Sequence, residues 1–520
     1  MLGSWLTGAL FPRLPAGSRS RFRVGLLLFV AALVVFAALH WQAPMIATAV
    51  FGLPLLFMIY LREFEVRRTV GLRGVVASGV LGLGLAIGWA LISGPIVAGA
   101  YDAALGAQTN AVDVLLFGVV VPISEALLMI VPAVVVRLVD RSPRDVLDGF
   151  AIGAFGATVF TGAATATLLV PQLAMGVTAP DRSVGSLLVE ALVEGVAWPL
   201  VGVATGGIVG IALWFTGPDN ASRRYRGLIP GVLLVVLIVV TAMGIVDVVP
   251  LSSAWYGVLH LLIAAVAMLV LRSTIAVALR RQAPDGAGER RQSGDQSASY
   301  AGVLGWLAAG LAVAVAVGVV VSVRITPAPQ RFVCPPDCGR PPLGTPVETN
   351  PRFSADDGAF SVAYPGKGSA YDVTFDPGGL NGVELKYTGG DTGTLTLFGE
   401  SANGRTAKQI VRQLLDDRYP GAAVDYDIPN ASVGYEPGYG VVADVFPTGS
   451  SATYTQVRVM IMGAVKHDYA LIAAAVGPYH RFGPDYGNGH PSAANLELAM
   501  DMGKYVNSFR WHGDRYGRPS

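Results

Sequence analysis

"VVVPISEALLMIVPAVVV", residues 119–136, is apolar enough to lie in lipid, yet it carries a carboxylate, Glu125, near its middle. A charge at that depth costs about 2.5–3.5 kcal/mol on insertion scales. With its flanks the run is long enough to cross a hydrocarbon layer about 30 Å thick. The chain is therefore read as membrane-embedded, and Glu125 needs a partner or a task inside a helical bundle.

Working outward, nine apolar runs of spanning length appear, at 24–40, 43–61, 74–99, 112–136, 149–171, 186–215, 228–246, 253–271 and 301–323. The 520 residues are 52% hydrophobic and 14% charged, which excludes an ordinary soluble globule. Charge is unevenly spread. Residues 1–330 hold 21 Lys+Arg and 16 Asp+Glu, a net +5; residues 331–520 hold 16 and 20, a net −4, and all five lysines. Neither part has the concentrated basic patch of a nucleic-acid binder.

Arginine placement sets the expected topology. Nineteen arginines precede the first run or follow the second, fourth, sixth and eighth, against only Arg182 and Arg324 in the alternate positions. Basic residues stay inside. The amino terminus is thus expected in the cytoplasm and the carboxyl-terminal domain outside, in a multi-pass protein of the cell membrane.

The expected fold class is a polytopic α-helical membrane bundle of about nine transmembrane helices plus a C-terminal α+β extracytoplasmic domain. Residues 1–271 form an eight-helix core and 272–300 a cytoplasmic linker, basic and then Gly/Ser-rich. Residues 301–323 form a ninth helix and 324–352 a Pro-rich stalk. Residues 353–512 form the exported domain and 513–520 a tail. Cys334 and Cys338, the only cysteines, lie in the stalk. On the outer face a disulfide between them is expected, since two thiols alone make a poor metal site.

In the exported part, "GAFSVAYP", "YDVTFD", "GVELKYT", "GTLTLFGE", "GVVADVF", "YTQVRVMIMGA" and "DYALIAAAV" read as strands between Gly/Asp/Pro turns. "RTAKQIVRQLLDDRYP" and the closing "AANLELAMDMGKYVNSFRW" read as helices. No catalytic constellation appears there. His480 and His490 bracket a turn-rich loop, read as surface.

The ionisable residues deep in the apolar runs are Glu125, Glu190, Glu194 and His260, with Asp148 at the start of the fifth. Glu190 and Glu194 are four apart and share a helical face. Gly149 and Gly153 in the fifth run, and Gly202, Gly206 and Gly210 in the sixth, repeat at spacings that let backbones approach. Helices four, five, six and eight are thus expected to gather Glu125, Glu194 and His260. These three could hold a divalent metal and its water, relay protons or gate a path, or simply hydrogen-bond the bundle together.

"PISEALLMIVP" resembles the first signature of PrsW-type intramembrane proteases, which has two adjacent glutamates and a lysine three residues on. Glu125 matches the first glutamate; Ala126 and Met129 occupy the other two positions. "LDGFAIGAFGATVF" is similar to the next stretch: Asp148, Gly149, Gly153 and Phe160 match, and Ala164 stands where the family has a glutamate. Glu194, Trp198 and Gly202 align with a His-x3-Thr-x3-Gly motif, and His260 with a later histidine. The exported domain resembles Mog1/PsbP-like α+β modules through "FSVAYP", a late long hairpin and "YVNSFRW". The resemblance implies a protease-like core that has lost key groups, acting as a sensor or scaffold. Its partners would be a membrane protein and, for the outer domain, an envelope ligand. The alternative is an active divergent protease that cuts a membrane protein, with zinc on Glu125, Glu194 and His260.

Overall fold

The computed structural model describes residues 2–12, 14, 16–63, 72–100, 104–105, 111–139, 145–180, 182–215, 229–249, 251–282, 300–326, 349–369, 371–388, 393–446, 456–478 and 502–512. Cys334, Cys338, His480 and His490 lie outside them. Two compact units result: residues 1–98 with 109–326, and residues 99–108 with 327–520.

The first unit is all helix. In chain order it comprises α1 (Leu2–Leu10), α2 (Ala16–Ala38), α3 (Gln42–Glu63), α4 (Leu72–Ala100), α5 (Ala111–Leu115), α6 (Val121–Val139), α7 (Val146–Leu168), α8 (Val170–Leu173), α9 (Val184–Leu192), α10 (Trp198–Trp214), α11 (Ile229–Val248), α12 (Ser253–Gln282) and α13 (Tyr300–Ile325). Among the described residues, nine helical spans are long and apolar enough to cross a membrane, close to the nine runs read above. α12 continues to Gln282, eleven residues into the stretch read as a linker. Ile275 and Ala278 extend its apolar stripe into the core, so the helix keeps its packing past Arg272.

α7 is the centre of this unit. It starts at a capping box, in which Asp145 accepts from the first turn and Asp148 reaches back to the Asp145 amide. Its glycines then meet other backbones. A Cβ on Gly153 would strike the Gly206 carbonyl, and one on Gly206 the Gly153 carbonyl; Gly149 and Gly210 form the same reciprocal pair. Gly156 faces Ser78 of α4, whose hydroxyl donates to the Ile152 carbonyl at 2.9 Å. Gly162 faces the Val50 carbonyl of α3. In lipid, where apolar burial gives helices no preference for each other, such approach supplies the association. Gly153→Ala is expected to cost at least about 1–3 kcal/mol, read as a lower unfolding temperature of the purified protein. Gly88→Ala, where a Cβ meets open space, should cost nothing.

The second unit is an antiparallel sheet flanked on both faces. Its strands are β1 (Arg352–Ser354), β2 (Phe360–Ala363), β3 (Tyr371–Phe375), β4 (Gly382–Tyr387), β5 (Thr394–Ser401), β6 (Ala423–Ile428), β7 (Ser432–Val433), β8 (Glu436–Val445), β9 (Val457–Lys466), β10 (Tyr469–Pro478) and β11 (Arg510–Trp511). The main sheet runs β3-β4-β5-β10-β9-β8-β6 with β7 paired to β8; a smaller sheet runs β1-β2-β11. Helix α14 (Ala407–Arg418) covers one face with Ile410, Val411 and Leu415, where Leu105 of segment 99–108 is also buried. The small sheet, with Tyr505, Val506 and Phe509, covers the other.

Two readings of this unit change. β6 has mostly half-exposed residues and lacked an apolar alternation to announce it. The expected closing helix does not include its last two residues: Arg510 and Trp511 pair with Ser361 and Phe360 as a strand, seating the indole in the core.

Arg458 of β9 is buried and clasps its cross-strand neighbour Asp444 through two bonds of 2.8 and 2.7 Å, with Asp425 at 2.9 Å. Arg458→Ala would leave two acids without their cation and is expected to cost about 3–5 kcal/mol. Denaturant unfolding of the full-length protein checks this through the midpoint of the sheet-domain transition.

Candidate functional site

The ionisable groups of the bundle collect where spans five and six, and spans seven and eight, are joined. Two local distortions help to place them. Residues 116–120 and 193–197 are π-helical turns, closed by the bonds Val121 N–H to Leu116 O and Trp198 N–H to Val193 O. Each is followed, after one residue, by a proline, Pro122 or Pro199. Proline has no N–H for the carbonyl four residues back, and its ring crowds that carbonyl, so the turn widens. Such turns are rare and favour functional sites. Both follow one pattern, Gly-Val-x-x-Pro, in "LFGVVVP" (116–122) and "VEGVAWP" (193–199).

Glu194 sits inside the second widened turn and accepts from Thr165 Oγ1 at 3.2 Å. Glu125 lies three residues past Pro122. Gly244 of α11 packs against Pro122 and the Gly118 carbonyl, and one turn further on is Asp247, which Glu125 feels electrostatically.

Asp247 is the junction. Its Oδ1 accepts from Tyr256 Oη at 2.9 Å and lies 3.1 Å from His260 Nε2. The other ring nitrogen, Nδ1, is 2.9 Å from the Tyr256 carbonyl. His260 is fully buried, with the Tyr256 ring 4.3 Å and the Trp198 ring 6.4 Å from its own. Glu194 is within electrostatic reach of both His260 and Asp247. At the rim, Arg182 donates to Glu190 in a buried ion pair.

The structure therefore brings Glu194 and His260 into one neighbourhood, with Glu125 within electrostatic reach of Asp247. Among the described residues, no three His, Cys, Asp or Glu side chains lie close enough to hold a metal ion. Both His260 nitrogens face protein oxygens. Glu190 pairs with Arg182 instead of sharing a ligand with Glu194. Asp148, the other acid singled out, is a helix cap.

Four contributors escaped the sequence reading: Asp247, Tyr256, Thr165 and Arg182. Asp247 stands one residue beyond the seventh apolar run, where an acid passes for a boundary. Tyr256 precedes His260 by four residues, a same-face spacing that could have marked it. Arg182, eight residues before Glu190, registered only as an exception to the charge rule. The repeated Gly-Val-x-x-Pro was the one local signal for the widened turns.

Compared with protein-family models, curated proteins and solved structures, the chain matches none.

Arg182→Ala is expected to destabilise the protein by about 3–5 kcal/mol, because Glu190 would be left buried and uncompensated. The double change Arg182→Met with Glu190→Leu should recover most of that loss in thermal unfolding of the purified protein.

Proposed function

We propose that this chain is a multi-pass protein of the cell membrane acting as a sensor or scaffold, with the helical bundle as anchor and the C-terminal domain as binding module on the outer face. One observation carries this. The positions where the resembled protease family has its further chemical groups are filled here by packed apolar side chains. Ala126 lies in the main bundle core; Met129 and Ala164 lie with Phe160 in another buried cluster. Of the acids that remain, Glu190 pairs with Arg182, Glu194 accepts from Thr165, and Asp247 belongs to a group with His260 and Tyr256. Metal-assisted hydrolysis needs several ligand lone pairs aimed at one point and an open coordination position; this bundle offers pairs instead.

The arginine distribution supports the topology, with nineteen on one side against two on the other. Residues 99–108, after the third span, share a compact unit with the C-terminal domain. An even number of spans separates the two, as that topology requires.

Reporter fusions after residues 105, 215 and 512 test the orientation; the first and last should report outside and the second inside. For the role, cross-linking in whole cells should capture an envelope partner with the full chain and lose it when residues 349–512 are removed. Glu125→Gln should leave capture intact. Stoichiometric zinc in the purified protein, with Glu125-dependent cleavage of a membrane protein, would overturn the reading in favour of a divergent protease.

A further inference from the structure

The two contacts of the His260 ring bear on where its protons sit: one is a hydrogen bond, the other an ion-pair contact. The Tyr256 carbonyl can only accept, so Nδ1, 2.9 Å away, carries a proton. Nε2 faces Asp247 Oδ1 at 3.1 Å, and that oxygen already accepts from the Tyr256 hydroxyl at 2.9 Å. The Nε2 contact is of ion-pair length but lacks hydrogen-bond alignment. A bare Nε2 lone pair would repel the acceptor oxygen at that distance, whereas a proton on Nε2 makes the contact attractive. We propose that Asp247 and His260 hold one exchangeable proton as an imidazolium–carboxylate pair, making this end of the bundle a proton-binding site.

The surroundings agree. His260 on α12 is faced by Asp247 from α11 and by Glu194 from the widened turn before α10. Glu190, paired with Arg182, lies within electrostatic reach of Glu194, and Glu125 of α6 within that of Asp247. Among the described residues, four carboxylates are thus grouped with one arginine. In a low-dielectric bundle such an excess requires protons or a cation, and an imidazolium at the centre supplies one charge where two carboxylates converge. The Asp247 side chain is 21% exposed and the His260 side chain 0%, so exchange runs through Asp247. The Nε2 proton passes to Oδ1 and then to water, leaving a neutral ring whose Nε2 lone pair opposes the carboxylate. The tie between the end of α11 and the start of α12 then becomes a repulsion, which couples proton occupancy to helix position. This goes beyond the anchoring role above and does not depend on what the C-terminal domain binds.

The test is nitrogen-15 NMR of the full-length protein in lipid nanodiscs with labelled histidine, the His260 signal being located by its loss in His260→Gln. At neutral pH the wild-type ring should show both nitrogens protonated, and Asp247→Asn should convert it to a ring with one bare nitrogen. A bare nitrogen in the wild-type ring overturns the proposal, whatever the variant does. So does a doubly protonated ring that Asp247→Asn leaves unchanged. Should Asp247→Asn fail to fold, Tyr256→Phe serves in its place: removing the second donor to Oδ1 should move the His260 signals, and unchanged signals count against the shared acceptor.

Discussion

Backbone contact between α7 and α10 is the constraint on which the bundle depends. The two helices run antiparallel, and their contacts step by four residues on each. Gly149 meets Gly210, Gly153 meets Gly206, and Gly202 faces Ala157. Thr165 and Glu194, two steps further in the same register, form the hydrogen bond that holds the carboxylate. Glycine in a helix interior costs about 1 kcal/mol against alanine, so the five at this crossing are a substantial expense in propensity. Their return is an approach so close that carbonyls stand where side chains would be. The polar site is in this sense an extension of the glycine ladder: the same register that seats the glycines brings Thr165 to Glu194.

The second requirement is a way to turn acids inward without losing the helix. Pro122 and Pro199 provide it. Each removes one backbone donor, and the preceding turn widens rather than breaks. Gly118 and Gly195 at the centres of these turns accept close neighbours, Ile245 and Gly244 for the first, Leu33 and Ala49 for the second. Tight packing around each distortion holds it in a single form, because a loose widened turn in lipid would leave carbonyls without partners. Ser124 Oγ takes up part of that burden by donating to Val120 and Val121 oxygens at 2.7 and 2.9 Å.

Much of this was legible in the amino-acid sequence. The spans were readable because lipid demands long apolar runs, and the α7–α10 crossing because small residues at a spacing of four have few other uses in such helices. The strands of the C-terminal domain were readable as short apolar or alternating runs between turns, and β6 escaped because its residues are only half-buried or exposed. The site was half legible. Glu125, Glu194 and His260 stood out as ionisable groups in apolar surroundings. Asp247 did not, since an acid at the end of a span looks like the water boundary. Only the position of α11 against Pro122 shows that it turns inward. Hydrogen-bond partners set by contact between distant spans, such as Thr165 with Glu194, have no local signature at all.

The residues that carry the protease resemblance have structural tasks that require no chemistry. Asp148 caps α7, Gly149 and Gly153 admit α10, and Phe160 fills a core beside Ala164. A helix with those tasks needs an Asp-Gly start and a glycine face whatever the bundle does. Likeness at these positions therefore speaks for a shared way of packing, and the activity question rests on the remaining ones. There the chain has methyl and thioether side chains in close-packed surroundings. Restoring a glutamate at position 126 or 164 would bury a charge among apolar neighbours with no partner provided, a cost of several kcal/mol. The bundle is packed around apolar side chains at these positions, and a polar group gathers about Asp247 and His260.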